Sequence, residues 1–205
     1  MPHLTDIAGL AGVASAIAAS LLLLPGVGSL SKPRLAILLG AVFALSLIPL
    51  VDMPLAAYVR GATGDLSITT LTLLWCALLR PWWNIGAVDK KHRQALLILI
   101  VFAAAALYPF ALGIGMFDTY RLGYGNSLFV AALLLIALAA WFLEYALVSL
   151  CIALATLAWS VGWYESDNLW DYLLDPFVVI YALCAITIYA AKELRNQLQD
   201  KRPYL

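Results

Sequence analysis

Residues 122–164 carry a single charge, Glu144, in forty-three positions. As one helix rising about 1.5 Å per residue, that stretch would measure about 65 Å, more than twice the roughly 30 Å hydrocarbon core of a bilayer. It must fold back, and a chain built around such a run is directed to a membrane. The remainder agrees: 64% of the 205 residues are hydrophobic and only 12% charged, with mean hydropathy +0.94, against about one-quarter charged in soluble domains.

Seven apolar segments qualify as spans, at about 7–28, 35–51, 66–79, 94–116, 127–143, 145–163 and 173–191. The first carries Ala8, Gly12, Ala16 and Ser20 four apart, a small-residue face suited to close helix packing. The third is short and crosses only if Arg80 snorkels and Trp82 and Trp83 lie in the interfacial belt. Pro109 is expected to bend the fourth. The first segment reads as a retained span, because Met1 to Asp6 lack a basic region and 7–31 is too long for a signal sequence.

Ten of the twelve Lys and Arg fall in four short stretches between these segments. Short loops rich in Lys and Arg stay cytoplasmic, which orients every span. The same rule locates the fold-back. No Gly, Pro or Asn marks a turn near Glu144, yet without a turn there the acidic stretch 165–175 would lie inside and Lys192, Arg195, Lys201 and Arg202 outside. The expected fold is therefore all-α: a polytopic membrane helix bundle of about seven transmembrane helices, N-terminus outside and C-terminus inside. Residues 1–191 form one transmembrane domain and 192–205 a short polar cytoplasmic tail. Only helices satisfy the backbone within single spans of this length.

Three outer loops then collect most of the polar groups suited to chemistry: DMPLAAYVRGATGD at 52–65, FDTYRLGYGN at 117–126 and YESDNLWDYLLDP at 164–176. In the first two an Arg is followed at the fourth and fifth positions by Gly and an acid or amide: Arg60, Gly64, Asp65 against Arg121, Gly125, Asn126. This spacing fits repeated helical hairpins. Arg60 and Arg121 lie on the side where Arg is disfavoured, and a guanidinium fork there suits a phosphate or carboxylate. The competing explanation is internal pairing, Arg60 with Asp65 or Asp52 and Arg121 with Asp118.

In the third loop Asp167 and Asp171, four apart, would share a helical face and offer acid–base chemistry or oxygen ligands for a hard cation. Trp170 between polar neighbours suits a sugar. The structural alternative is an interfacial half-turn in which Tyr164, Trp170 and Tyr172 anchor at headgroup depth and Asp175 with Pro176 starts the last helix. The candidate outer-face binding residues are Arg60, Asp65, Asp118, Tyr120, Arg121, Asp167, Trp170 and Asp171, with no catalytic residue assigned.

Other chemistries find no signature. Cys76, Cys151 and Cys184 are solitary, so they read as packing residues. His3 and His92 are the only histidines and do not lie on facing helices as haem ligation within the bilayer requires. No G-x-S-x-G, H-E-x-x-H or phosphate-binding Gly loop occurs. No ionisable residue sits at depth in a span, which weighs against an ion-coupled transporter. Thr69, Thr70 and Thr72 are expected to bond back to their own helix or a neighbour.

No metal or cofactor is expected. Formal net charge is zero and no like-charge block occurs, so nucleic acid is not a partner. The bilayer is one, together with another membrane or envelope protein or a lipid-linked substrate. The resulting expectation is a small multi-pass protein of a bacterial inner membrane. It would serve as a non-enzymatic accessory or assembly component of a cell-envelope system, acting through its outer loops. The alternatives are a membrane enzyme acting on a lipid-linked phosphate or sugar at the outer interface, and a small-solute permease; whether the chain is an enzyme stays open.

Overall fold

The protein was analysed as a computed structural model that describes residues 4–49, 52–83 and 90–200. His3, Val51, Asp89, Lys201 and Arg202, which entered the sequence reading, lie outside the described residues.

Nine α-helices occur among the described residues, and no strand: α1 Leu4–Ser20, α2 Lys32–Leu47, α3 Leu55–Thr63, α4 Ile68–Leu79, α5 Lys90–Ala111, α6 Ser127–Phe142, α7 Ala146–Ser160, α8 Leu169–Leu173 and α9 Pro176–Asp200. Three helical stretches are long and apolar enough to cross a membrane: Thr5–Leu23, Lys90–Ala111 and Pro176–Gln199. Helices Ile68–Leu79, Ser127–Phe142 and Ala146–Ser160 are apolar but shorter; the twelve residues of α4 rise only about 18 Å at 1.5 Å each.

The fold-back at Glu144 is present. Tyr145 N–H donates to the Ala140 carbonyl at 2.7 Å and Glu144 N–H to that of Trp141 at 3.0 Å, the paired bonds of a Schellman cap. Glu144 takes the left-handed position with φ +64°, the one positive φ of a non-glycine among the described residues. The same bond pairs end α5 at Gly113 and α7 at Gly162. Glu144 escaped the usual turn signals because it occupies a position that glycine normally fills.

Several boundaries differ from the sequence reading. The first helix breaks at Leu24, and Gly26 with φ +87° turns the chain there, ahead of the expected turn at 29–34. Lys32 and Arg34 open α2 instead of lying in a loop, with Pro33 in its first turn, where a missing N–H costs nothing. The first outer loop contains the helix α3, whose short run of Ala and polar residues was not read as helical. The last helix continues through Lys192 to Asp200, so the polar stretch after 191 is helical that far.

Helix packing relies on small residues. Ala14, Ala56, Ala155 and Ala182 are fully enclosed, and α1 lies against α2, α3 and α4. On α1 the buried face runs through Gly9, Gly12, Val13 and Ala14, with Ala8 and Ala16 half-buried and Ser20 exposed; a Cβ on Gly12 would meet the Leu71 side chain at 3.3 Å. The main core joins Leu96, Leu97 and Ile100 of α5 to Val148, Ile152 and Ala155 of α7 and Val178 of α9. The outside is apolar too, with Leu135, Trp141 and Phe142 of α6 exposed. Apolar residues on both surfaces are what a helix facing lipid requires.

Charge is segregated in space. At one end of the bundle the Arg93 guanidinium donates to the Tyr181 hydroxyl, and Lys91 sits 5.0 Å from the centre of the Tyr145 ring. The basic start of α5 therefore meets the α6–α7 turn and α9. The three polar loops gather near the other end of α5, where Thr119 bonds to the Ala106 carbonyl and Ala111 lies beside Asp171 and Asp175.

Candidate functional site

Arg60 projects from α3 onto Asp65, just past the Gly64 turn. Its Nε donates to Asp65 Oδ1 at 2.6 Å and its Nη2 to Oδ2 at 3.0 Å, a bidentate fork. Nη1 donates to Asp6 Oδ1 at 3.1 Å, drawing in the start of α1. Asp52 is not a partner. Hydrogen bonding to Asp65 pushes the guanidinium pKa above its ordinary value against the opposing effect of burial. The fork lies across Gly9: a Cβ there would stand 2.2 Å from Asp65 Oδ1 and 2.4 Å from Arg60 Nε.

Asp175 ties the first loop to the third. Its Oδ2 accepts from Ser67 N–H at 2.7 Å and from Thr70 Oγ1 at 2.5 Å, while Oδ1 accepts from Val178 N–H at 2.8 Å. One carboxylate therefore serves the first turns of α4 and α9, where N–H groups lack partners and the helix dipoles favour negative charge. Asp175 with Pro176 does begin the last helix. Thr72 bonds back to Ile68 of its own helix and Thr70 to the neighbouring Asp175, both within the expected pattern.

Tyr164 extends the same seam, its hydroxyl donating to the Leu66 carbonyl at 2.8 Å. The Tyr172 hydroxyl accepts from Tyr164 N–H at 3.0 Å and donates to the Ser166 carbonyl at 3.0 Å, with the two rings stacked at 5.2 Å.

The second loop joins through Asn168, whose Nδ2 donates to the Tyr120 carbonyl at 3.0 Å, and through Trp170, whose Nε1 donates to the Thr119 carbonyl at 3.1 Å. Both seat against Gly123, where an added Cβ would fall 1.7 Å from Asn168 Oδ1. The Tyr120 hydroxyl donates to Asp171 at 2.9 Å, and Ser166 Oγ donates to the same carboxylate at 2.5 Å. The phenol of Tyr120 is held protonated above its usual range by burial first and by the Asp171 hydrogen bond second. Burial does the same to Tyr164, helped by the Asp65 charge, and to Tyr172. The three loops thus form one cap.

The cap borders a partly open cavity of about 360 Å³ whose polar wall is Asp65, Tyr120, Tyr164, Ser166, Asp171 and Asp175. Leu107, Tyr108 and Ala111 at the end of α5, with Leu174 and Pro176, form the rest. Among the described residues no Lys or Arg lines it.

Comparison with known protein families, with curated proteins and with solved structures found no match. The site must be read from its own geometry.

Of the eight residues singled out in the sequence, four enter the cavity wall or its support. Asp65, Tyr120 and Asp171 line it, and Arg60 holds Asp65 from behind. Trp170 is buried, packed at 4.6 Å against the Phe129 ring, so it does not offer a sugar an open face; Tyr164 and Tyr172 are likewise buried. Asp167 precedes α8 and is exposed, so it shares no helical face with Asp171. Asp118 caps Tyr120 N–H at 2.9 Å instead of pairing with Arg121. Arg121 is exposed, makes no ion pair among the described residues and lies outside the cavity wall, so the two Arg do not converge on one ligand.

The sequence reading did not single out Asp6, Gly9, Ser67, Gly123 or Ser166, and took Asn168 only as a polar neighbour of Trp170. Ser67 and Asn168 carry a local signal, since each stands just before a helix and caps it. No pattern in the chain pointed to Asp6, Gly9 or Gly123, whose roles arise from contacts across elements.

Proposed function

We propose that this chain is a multi-pass inner-membrane protein of seven crossings, N-terminus outside and C-terminus inside, and a non-enzymatic accessory or assembly component of a cell-envelope system. Alternation of the helices supports the topology. The starts of α1, α4 and α9 and the ends of α5 and α7 meet in the acidic cap, while the basic start of α5 meets the Glu144 turn at the far end. The short helices cross with help from their flanks, α4 through Arg80, Trp82 and Trp83.

The observation that carries the functional reading is that the cap's polar side chains hold one another. Arg60 is closed by Asp65 and Asp6, Asp171 by Tyr120 and Ser166, and Asp175 by three donors. Such a cap is a rigid platform that presents Asp118, Arg121, Tyr124 and Asp167 outward to a partner protein or an envelope lipid. The enzyme reading has less support, because it needs Arg60 and Arg121 on one anion. The permease reading has less support because the core between α5, α7 and α9 is packed with Leu, Ile, Val and Ala.

A photo-crosslinking side chain at Tyr124, 59% exposed, tests the platform in intact membranes. A discrete protein or lipid adduct is expected there and none from buried Trp170; no adduct at Tyr124 would overturn the reading. With the native Cys replaced, single cysteines at Asp118 and Asp167 should label from outside and those at Lys91 and Gln199 should be protected. The reverse would overturn the topology.

A further inference from the structure

The cap pocket combines three carboxylates with three phenol rings in one partly open wall. At about 360 Å³ it falls within the range of small-molecule sites and holds about a dozen waters at roughly 30 Å³ each. Its chemistry selects by sign. Asp65 is balanced by Arg60, but Asp171 and Asp175 have hydrogen-bond donors and no cation beside them among the described residues. Asp175 is buried, and its three donors are neutral groups that leave its negative charge without an ion-pair partner among the described residues. A phosphate or carboxylate entering this space would meet three carboxylates and no Lys or Arg.

The phenol rings of Tyr108, Tyr120 and Tyr164 stand in the same wall. Aromatic faces attract ammonium groups, more strongly where water is excluded. A carboxylate pair flanked by such rings accepts a positively charged head and leaves the apolar wall of Leu107, Ala111 and Leu174 for the carbon chain behind it. We propose that the cavity is a binding site for an ammonium-bearing group, held between Asp171 and Asp175 and against Tyr120 and Tyr164.

The site is a local property of the cap and stands apart from the accessory role. Only the lipid source of the ligand rests on the cap lying at the membrane interface. An amine lipid head group and a free amine share the recognised chemistry, and the two arms of the test separate them.

In the first arm, purified protein in uncharged detergent is titrated calorimetrically with ethanolamine and with choline. In the second, protein in nanodiscs containing phosphatidylethanolamine or phosphatidylglycerol is examined by native mass spectrometry for retained lipid. Two variants accompany each arm. Asp171→Asn keeps an acceptor for Tyr120 but removes the charge and should weaken binding about tenfold or more. Ala111→Phe, at the exposed end of α5, fills the cavity without altering charge and should abolish binding while the unfolding temperature stays near wild type. Variant-sensitive binding of the soluble amines alone assigns a free amine; variant-sensitive retention of the amine lipid over phosphatidylglycerol assigns a head group. No binding in either arm, or binding that both variants leave unchanged, overturns the proposal. A failure to crosslink at Tyr124 would not touch it.

Discussion

Asp175 accepts a hydrogen bond from the backbone N–H of Ser67 at 2.7 Å across 108 positions of sequence. Through that bond one side chain caps its own helix and a distant one, and the first and third loops become a single structure. Replacing Asp175 by Ala removes two caps and strands buried donors, at an expected cost of about 2–4 kcal/mol. Asp175→Asn, which keeps one acceptor, should cost less. Denaturation in detergent, followed by helical circular dichroism, ranks the two.

Arg60 and Gly9 act on the same ion pair. Arg60→Ala leaves Asp65 without the guanidinium fork and should cost about 1–3 kcal/mol in this partly buried setting. Arg60→Lys loses the fork and falls between. Gly9→Ala pushes a methyl into the fork and should resemble Arg60→Ala. The double variant should cost less than the sum, because the second change has little left to break; an additive result would deny that Gly9 serves the pair.

Gly123→Ala places a Cβ on the Asn168 amide and should destabilise the cap by about 1–3 kcal/mol through overpacking. Limited proteolysis within 117–126 should accelerate while the α5–α7–α9 core stays protected. Uniform loss of protection would show that the cap and core unfold together.

Glu144→Gly should stabilise the protein. A left-handed residue with a Cβ costs about 1–2 kcal/mol, partly offset by the extra freedom glycine gains in the unfolded chain, leaving a gain of up to about 1 kcal/mol. Thermal unfolding in detergent measures it, and a loss would mean that the Glu144 side chain contributes a contact that outweighs the strain.

Tyr120 and Tyr164 should ionise late. Their folded values lie above the roughly 10 of a free phenol, so the stability tied to the neutral phenols is complete below about pH 10 and is lost as pH rises through the window above it. Tyrosinate absorbance should show a delayed phase that shrinks in Tyr120→Phe and Tyr164→Phe. Cap opening, read by proteolysis, should begin only above that pH.

The apolar runs and the distribution of Lys and Arg were enough to predict an all-helical chain and the hairpin at Glu144, and the Asp175–Pro176 pair marked a helix start. These are local or counting properties: a helix satisfies its own backbone, and a forty-three-residue apolar run cannot stay straight inside a bilayer. The loops were also visible as the place where carboxylates and aromatics collect.

Partner choice within the cap was not visible. Arg60 had Asp52 and Asp65 nearby in sequence, and only packing of α1 on α3 brought Asp6 within 3.1 Å. That Trp170 and Tyr172 are buried depends on α8 folding against α4 and α7. Arg121 matches Arg60 in its spacing to Gly and lacks its carboxylate, because Asp118 turns to the backbone of Tyr120. Periodicity and charge determine where a chain is helical and which segments repel or attract a membrane side. Which polar groups meet across the loops depends on contacts between residues 48 to 108 apart, and those contacts exist only once the helices have packed.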